Sequence, residues 1–153
     1  MIRRFTFSDL DDILDIERHA FPKSPYSWAT FVNLQWVYPK TFLVYVDERT
    51  PSSPSKEATL AGYIIFSRDG HIISLAVHPE YRRRGIGKKL IQQVMGFPHV
   101  RKVWAEVRKS NRGAQTFYLR LGFRFVAVVP NYYGDEDALI VEKDSSLSIP
   151  ASE

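Results

Sequence analysis

The chain has 153 residues, of which 44% are hydrophobic and 14% aromatic, and its formal net charge at pH 7 is +4. This length and apolar content predict one well-packed α/β domain. The sequence has no apolar run near about 18 residues, which argues against a membrane span, and its lack of cysteine excludes a disulfide framework, a thiolate metal site and a cysteine nucleophile. No signal-peptide pattern opens the sequence, so we expect a cytoplasmic protein.

The first third of the chain predicts two strands with two helices between them. Residues Ile2 to Phe7 alternate as a strand does, and Ser8 to Asp11 supplies capping residues for a helix that ends near His19. Ser27 is the expected N-cap of a second, short helix. Thr41 to Asp47 is a β-prone run and predicts the second strand.

The remaining pattern predicts five strands and two helices. The polar segment 48–57 is expected to be a loop, and Asp69-Gly70 predicts a type I′ hairpin turn. The helices are expected from Ile86 to about Gly96 and from Asn111 to Leu121, and the strands at 60–67, 71–77, 101–107, 125–129 and 138–142. We expect a single domain over residues 1–143, followed by a flexible polar tail over 144–153.

A basic, glycine-bearing turn joins the strand that ends at Val77 to the helix that begins near Ile86. Gly85 and Gly87 let backbone N–H groups approach a ligand closely, and the helix N-terminus adds a positive dipole end. The pattern favours a phosphate or pyrophosphate as ligand. A solvated basic patch and a nucleic-acid surface are the alternatives, since Gly-x-Gly alone is a weak signal.

The spacing of Arg82, Gly85 and Gly87 resembles the Arg/Gln-x-x-Gly-x-Gly/Ala signature of the GNAT acetyltransferases. The order of predicted elements also matches that fold over residues 2–143. The resemblance implies an α/β GNAT fold, with a mixed, mostly antiparallel central sheet flanked by helices, and acetyl-CoA as cosubstrate. It implies that the coenzyme is held by backbone groups of Leu75, Ala76 and Val77 along its pantetheine arm and by Arg82, Arg83, Arg84, Gly85, Ile86, Gly87 and Lys88 at its phosphates.

Acetyl transfer to an amine needs a group that removes a proton, because amines are largely protonated at neutral pH. Glu106 is a candidate base on the strand 101–107, although a solvated carboxylate paired with Arg108 or Lys109 would give the same pattern. Tyr118 is a candidate acid on the following helix, and a core tyrosine is its structural alternative.

The stretch from Glu106 to Asn111, followed by Tyr118 and the segment Leu121 to Phe123, resembles the RimI-type N-terminal protein acetyltransferases within GNAT. The resemblance implies that Glu106 is the general base and Tyr118 the general acid that protonates the coenzyme A thiolate. It also implies that Asn111 binds the coenzyme, although a helix N-cap is an equally simple role for this asparagine.

Two further segments resemble the substrate-binding parts of RimI-type enzymes. Phe21-Pro22 with Tyr26 resembles the Phe-Pro…Trp-Ser segment at the peptide entry, with tyrosine in place of the usual tryptophan. Tyr132 and Tyr133 resemble the paired tyrosines that close over a substrate N-terminus, and an exposed aromatic turn is their structural alternative. Val129-Pro130 stands where relatives tend to carry arginine, and the loop that follows is shorter, so peptide preference is not fixed by the sequence.

These features predict an enzyme that transfers acetyl from acetyl-CoA to the α-amine of a protein N-terminus. Contact with nucleic acid is expected only if the substrate is a ribosomal protein. A small-molecule amine or a lysine ε-amine is the alternative acceptor, and a coenzyme A sensor or a basic nucleic-acid module is the non-enzymatic alternative. We expect no metal site, because the histidines lack the spacing of a helical pair and no carboxylate cluster joins His19, His71, His78 and His99.

Overall fold

A computed structural model describes residues 1–47 and 59–151, and the predicted loop at 48–57 lies outside the described residues. The contacts divide the chain into two compact units. The first unit comprises Met1–Ser67 with Ile73–Gln93, and the second comprises Arg68–Ile72 with Val94–Glu153. Among the described residues, no helix has the length and apolar character that crossing a membrane requires.

In the described ranges, seven strands and four helices follow one another in the predicted order. The strands are β1 (Ile2–Arg4), β2 (Phe42–Asp47), β3 (Thr59–Phe66), β4 (Ile72–Val77), β5 (Lys102–Arg108), β6 (Arg124–Val129) and β7 (Ala138–Asp144). The helices are α1 (Leu10–Ala20), α2 (Trp28–Val37), α3 (Ile86–Met95) and α4 (Arg112–Arg120). Short 3-10 turns lie at Phe7–Asp9 and Pro79–Tyr81. The predicted order of strands and helices is therefore confirmed.

The first strand is shorter than the predicted Ile2–Phe7. It ends at Arg4, because the chain turns at Thr6 into the 3-10 segment that precedes α1. The Asp9 carboxylate accepts the Thr6 backbone N–H at 2.8 Å and pairs with Arg3 at 2.8 Å. The pKa of Asp9 is lowered: burial raises it, but the hydrogen bonds from Arg3 and Thr6 outweigh that penalty. The local polar contacts therefore stop the strand.

A four-stranded sheet with the order β1-β2-β3-β4 organises the first unit. Strands β1 and β2, and β2 and β3, pair antiparallel. Every residue of β3 from Leu60 to Phe66 is buried, which explains its nearly continuous apolar sequence. Helix α1 buries Ile13 and Ile16, and α2 buries Phe31, in one core with the sheet. This core fixes α1 and the segment that follows it.

The turn between β3 and β4 is not the predicted type I′ turn. That turn needs positive φ at both central residues, whereas only Gly70 has one, at +99°. A side chain at Gly70 would overlap the carbonyl oxygen of Lys102, and the Trp104 N–H donates to the Gly70 carbonyl at 3.1 Å. The turn is therefore shaped by its pairing with β5, where His71 forms a parallel bridge with Trp104.

A three-stranded antiparallel sheet with the order β5-β7-β6 organises the second unit. On β5, Val103, Ala105 and Val107 are buried while Glu106 is half-buried, which confirms the predicted alternation. Beyond β7, the backbone N–H of Ser145 donates to the Arg101 carbonyl at 2.9 Å. The strand β5 therefore presents Glu106 on the face opposite to the core of this unit.

Candidate active site

The turn after β4 is held by hydrogen bonds before the basic residues begin. The His78 ring accepts the Glu80 backbone N–H through Nδ1 at 3.2 Å, and the Tyr81 N–H donates to the His78 carbonyl at 2.9 Å. Nε of Arg82 donates to the Val77 carbonyl at 3.3 Å. These bonds fix the end of β4 and the start of the turn from Arg82 to Lys88.

Gly85 gives this turn its anion-binding geometry. Its φ is +78°, and the position that a Cβ would occupy faces open space with nothing within 4 Å. Helix α3 starts at the next residue, and its first-turn N–H groups lack partners within the helix, so they are suited to a phosphate. The guanidinium groups of Arg82, Arg83 and Arg84 are on exposed residues around this helix end. The structure thus places the predicted phosphate-binding residues in one strand–turn–helix.

Strand β4 directs alternate backbone groups to opposite sides. The His78 N–H bonds to Ala61 on β3 at 2.7 Å, and the Ala76 carbonyl lies against Gly62 on the same strand. By the alternation of an antiparallel ladder, the backbone groups of Leu75 and Val77 point away from β3. Those groups suit an extended ligand that lies along β4.

Glu106 pairs with His71, a partner that the sequence analysis did not identify. Oε2 of Glu106 lies 2.8 Å from Nε2 of His71, and the two side chains are 15% and 22% exposed. The His71 ring stacks on Trp104 with ring centroids 3.8 Å apart and an angle of 3°. Arg108, the partner considered for Glu106 in the sequence analysis, bonds to Asp135 and Glu136. The carboxylate is therefore oriented by a stacked imidazole.

Tyr118 is buried on α4 against Phe117 and Phe123, with ring centroids 5.1 and 5.0 Å from theirs. Burial raises the pKa of its hydroxyl well above the usual value, and the charges of Tyr133 and Glu106 raise it further. Burial and the charge of Glu106 also raise the pKa of Tyr132. Glu106 is therefore electrostatically coupled to the hydroxyls of both tyrosines.

The loop at 131–137 is fastened to the end of β5. Nη1 of Arg108 lies 2.9 Å from Asp135 and 3.0 Å from Glu136, and its guanidinium carbon lies 4.2 Å from the centre of the Tyr133 ring. Glu136 also accepts the backbone N–H of Ser110 at 2.8 Å. The hydrogen bond from Arg108 lowers the pKa of the exposed Asp135. The carboxylates of this loop are thus engaged by the protein itself.

Asn111 has the capping role that was its structural alternative. Its Oδ1 accepts the Ala114 backbone N–H at 3.0 Å, which makes it the N-cap of α4. Its contact with the coenzyme stays a prediction.

The segment from Phe21 to Ser27 is anchored by a buried carboxylate. The Tyr26 N–H donates to Oε1 of Glu17 at 2.9 Å, and Glu17 is only 2% exposed. The Tyr63 hydroxyl donates to Oε2 of the same carboxylate and lies 2.8 Å from the Ser74 hydroxyl. The Tyr26 ring packs edge-on against Phe31. Glu17 therefore ties the predicted peptide-entry segment to the sheet, a role that its helical pattern did not reveal.

Two histidines converge on one carboxylate, contrary to the expectation that no carboxylate joins them. His19 follows Asp15 by one turn of α1, and His78 lies directly after β4. One ligand atom from each of the three residues lies within 4.8 Å of the others. The signal was present in the sequence as an Asp-x-x-x-His spacing on a helix, but the approach of His78 depends on the tertiary fold.

The element order, with a glycine-bearing basic turn between the fourth strand and the third helix, is that of an α/β coenzyme-dependent acyltransferase. Residues 10–123 match the acetyltransferase (GNAT) family. The chain belongs to this family, has its fold, and is an acetyl-CoA-dependent N-acetyltransferase, which confirms the enzymatic interpretation of the sequence and its resemblance to the RimI type.

Two curated relatives extend over nearly the whole chain. An uncharacterized N-acetyltransferase of Methanocaldococcus jannaschii is 38% identical over 151 residues, covering 94% of this chain and 90% of its own length. An N-alpha-acetyltransferase of Sulfurisphaera tokodaii is 34% identical over 154 residues, covering 92% of this chain and 90% of its own length.

Two solved structures share the fold and more than a quarter of the sequence. Naa20 of Chaetomium thermophilum in complex with a bisubstrate analogue has a TM-score of 0.78 and 26% identity, and the match covers 94% of this chain and 86% of that chain. The ribosomal-protein-S18-alanine N-acetyltransferase of Escherichia coli has a TM-score of 0.70 and 26% identity, with 100% and 98% covered.

Proposed function

We propose that this enzyme transfers acetyl from acetyl-CoA to the α-amino group of a protein N-terminus. The free amine nitrogen forms a bond to the thioester carbonyl carbon and the C–S bond breaks. The nitrogen loses a proton as it becomes an amide, and this balances the proton that the coenzyme thiolate takes up. The names of the Sulfurisphaera and Escherichia relatives support an α-amine acceptor. The observation that carries the proposal is the half-buried Glu106 carboxylate, which lies 2.8 Å from Nε2 of His71.

Glu106 is the proposed base. A terminal amine with an ordinary pKa of about 8 is mostly protonated at neutral pH and must lose a proton before it attacks. His71 bonds Oε2 of the carboxylate, which leaves Oε1 to accept that proton directly or through a water molecule. The stack on Trp104 holds the imidazole in place, so His71 acts as a positioning residue.

Tyr118 is proposed to donate a hydrogen bond to the departing thiolate. Its raised pKa keeps the phenol protonated throughout the pH range in which the amine is free, as a proton donor requires. A thiol has an ordinary pKa of about 8.5, so the thiolate is a weaker base than the Tyr118 phenolate. Tyr118 therefore stabilises the departing thiolate mainly through the hydrogen bond that it donates.

A peptide fits the loop at 131–137 better than a polyamine does. A polycation would be recognised by carboxylates directed at the ligand, whereas Asp135 and Glu136 bond to Arg108. The aromatic rings of Tyr132 and Tyr133 offer uncharged contacts that suit a peptide backbone and a small first side chain. The proposed substrate contacts of Phe21, Pro22 and Tyr26 lie on the segment that Glu17 anchors.

The acceptor is tested by mass spectrometry after incubation with acetyl-CoA and a mixed peptide set. Some peptides carry only a free N-terminus, others carry a blocked N-terminus and one internal lysine, and spermidine represents small amines. Acetylated N-termini, absent with the Glu106→Gln variant, are the expected result. Acetylation of lysine or spermidine alone would overturn the N-terminal assignment but leave the enzyme class intact.

The phosphate-binding turn is tested at Gly85. We expect Gly85→Val to weaken acetyl-CoA binding by about tenfold or more, because the side chain enters the space open to the phosphates and tenfold equals only about 1.4 kcal/mol. Gly134→Val is the matched control, since Gly134 also has a positive φ, +84°, and an open Cβ position. Calorimetry that gave equal affinities for the two variants would contradict the assignment.

A further inference from the structure

Asp15, His19 and His78 form a cluster on the surface of the first unit. Oδ1 of Asp15 lies 3.5 Å from Nδ1 of His19, and Oδ2 lies 3.4 Å from Nε2 of His78. The two imidazole rings have centroids 5.3 Å apart and are tilted by 49°. The Asp15 and His19 side chains are about half exposed, at 50% and 51%, so an ion from solvent can reach the cluster.

One ligand atom from each of the three residues lies within 4.8 Å of the other two, which places all three groups within reach of a single ion. Nδ1 of His19 donates to the Asp15 backbone carbonyl at 2.8 Å, which leaves Nε2 as the His19 atom available to an ion. Zinc binds imidazole nitrogen and carboxylate oxygen at about 2.0–2.2 Å, and the ligands of a tetrahedron with such bonds lie about 3.3–3.6 Å apart. The 3.4 Å between Oδ2 of Asp15 and Nε2 of His78 lies in this range.

We propose that Asp15, His19 and His78 bind a divalent transition-metal ion, with Zn²⁺ as the best match. Two imidazoles and one carboxylate favour Zn²⁺, Ni²⁺ or Cu²⁺ over Mg²⁺ and Ca²⁺, which prefer sets of oxygen ligands. The three protein ligands leave a position for water. The ion connects α1 to the end of β4, immediately before the turn that is proposed to hold the coenzyme phosphates.

Metal binding at His78 would change the hydrogen bonding of this turn. Nδ1 of His78 accepts the Glu80 N–H, so in the neutral ring the proton lies on Nε2, which faces Asp15. When a metal ion takes Nε2, the proton of the neutral ring moves to Nδ1, and the Glu80 N–H loses its acceptor. The bound ion and the hydrogen bond from the Glu80 N–H to His78 therefore exclude each other. Because this hydrogen bond holds the turn that is proposed to bind the coenzyme phosphates, we expect bound metal to weaken acetyl-CoA binding and bound acetyl-CoA to weaken metal binding by the same factor.

The site is tested by calorimetric titration of the full chain, without a polyhistidine tag, with ZnCl₂, and by the absorption spectrum with Co²⁺. We expect one bound ion per chain, and an affinity that falls by at least about tenfold in His19→Gln and in His78→Asn. Asn at position 78 retains an acceptor for the Glu80 N–H, so His78→Asn separates metal ligation from the cap. His99→Asn is the control, because His99 is exposed and lies outside the cluster.

The outcome does not depend on the acceptor of the acetyl group, since binding is measured without turnover. Zinc affinity that is the same in His19→Gln, His78→Asn and His99→Asn would overturn the proposal, as would the absence of binding at millimolar ZnCl₂. A further expected result is that Zn²⁺ raises the dissociation constant of acetyl-CoA in the natural chain but not in His19→Gln. An equal increase in both would assign the effect to metal held by the coenzyme.

Discussion

The Glu106→Gln variant is expected to turn over about 10²–10⁴-fold more slowly than the natural enzyme. The amide keeps the shape of the side chain and its contact with His71, but it cannot accept the proton of the attacking ammonium. Affinity for acetyl-CoA should stay within about twofold, because the proposed coenzyme contacts lie on β4 and the turn after it. Steady-state kinetics with a peptide that the natural enzyme acetylates measures the loss of turnover. Calorimetry measures the affinity for acetyl-CoA separately.

Glu142→Gln is the matched control for this substitution. Glu142 is also a half-buried glutamate on a strand of the second unit, where it pairs with Arg124 at 2.9 Å. Its replacement is expected to leave kcat nearly unchanged. The pH–rate profile distinguishes a base from a merely structural carboxylate. Glu106→Gln can use only amine that is already free, so its deficit relative to the natural enzyme should shrink as the pH rises through the pKa of the amine, and a deficit that stayed constant would show that another group removes the proton.

Features that depend on residues close together in the sequence were predictable. Ser27 caps α2 by accepting the Thr30 N–H at 3.3 Å, and β5 alternates between buried and half-buried residues. Gly85, which has a positive φ of +78°, lies at the junction between β4 and α3 where the sequence pattern places it. Capping, alternation and backbone conformation are each set by a few neighbouring residues, so the pattern contains them.

Features that depend on long-range contacts were not predictable in the same way. Alternation places Glu106 on one face of β5, but His71 reaches it only because Gly70 and His71 pair with Trp104. Helical periodicity places Glu17 on the apolar face of α1 without showing that Tyr26 and Tyr63 satisfy its carboxylate. A single sequence gives the face of a residue but not the partner that comes to it from another element.

The Glu17→Ala variant is expected to lose about 2–4 kcal/mol of unfolding free energy. The substitution leaves a cavity in the core and deprives the Tyr26 N–H of its acceptor, and each of these defects is costly. Glu80→Ala is the control, because Glu80 is exposed and its replacement should change stability by less than about 0.5 kcal/mol. Urea unfolding followed by circular dichroism measures both variants.

The pH dependence of this loss tests whether the carboxyl group itself is responsible. Burial raises the pKa of Glu17 above its ordinary value of 4.5, although the Tyr26 N–H and the Tyr63 hydroxyl lower it in part. The folded state therefore holds the proton more tightly than the unfolded chain, so this contribution to stability is complete below pH 4.5 and decreases as pH rises through the folded pKa. The difference between the natural chain and Glu17→Ala should consequently be larger near pH 4 than near pH 7. A difference that grew with pH would instead mean that Glu17 stabilises the fold as a carboxylate, and that its bonds to Tyr26 and Tyr63 outweigh its desolvation.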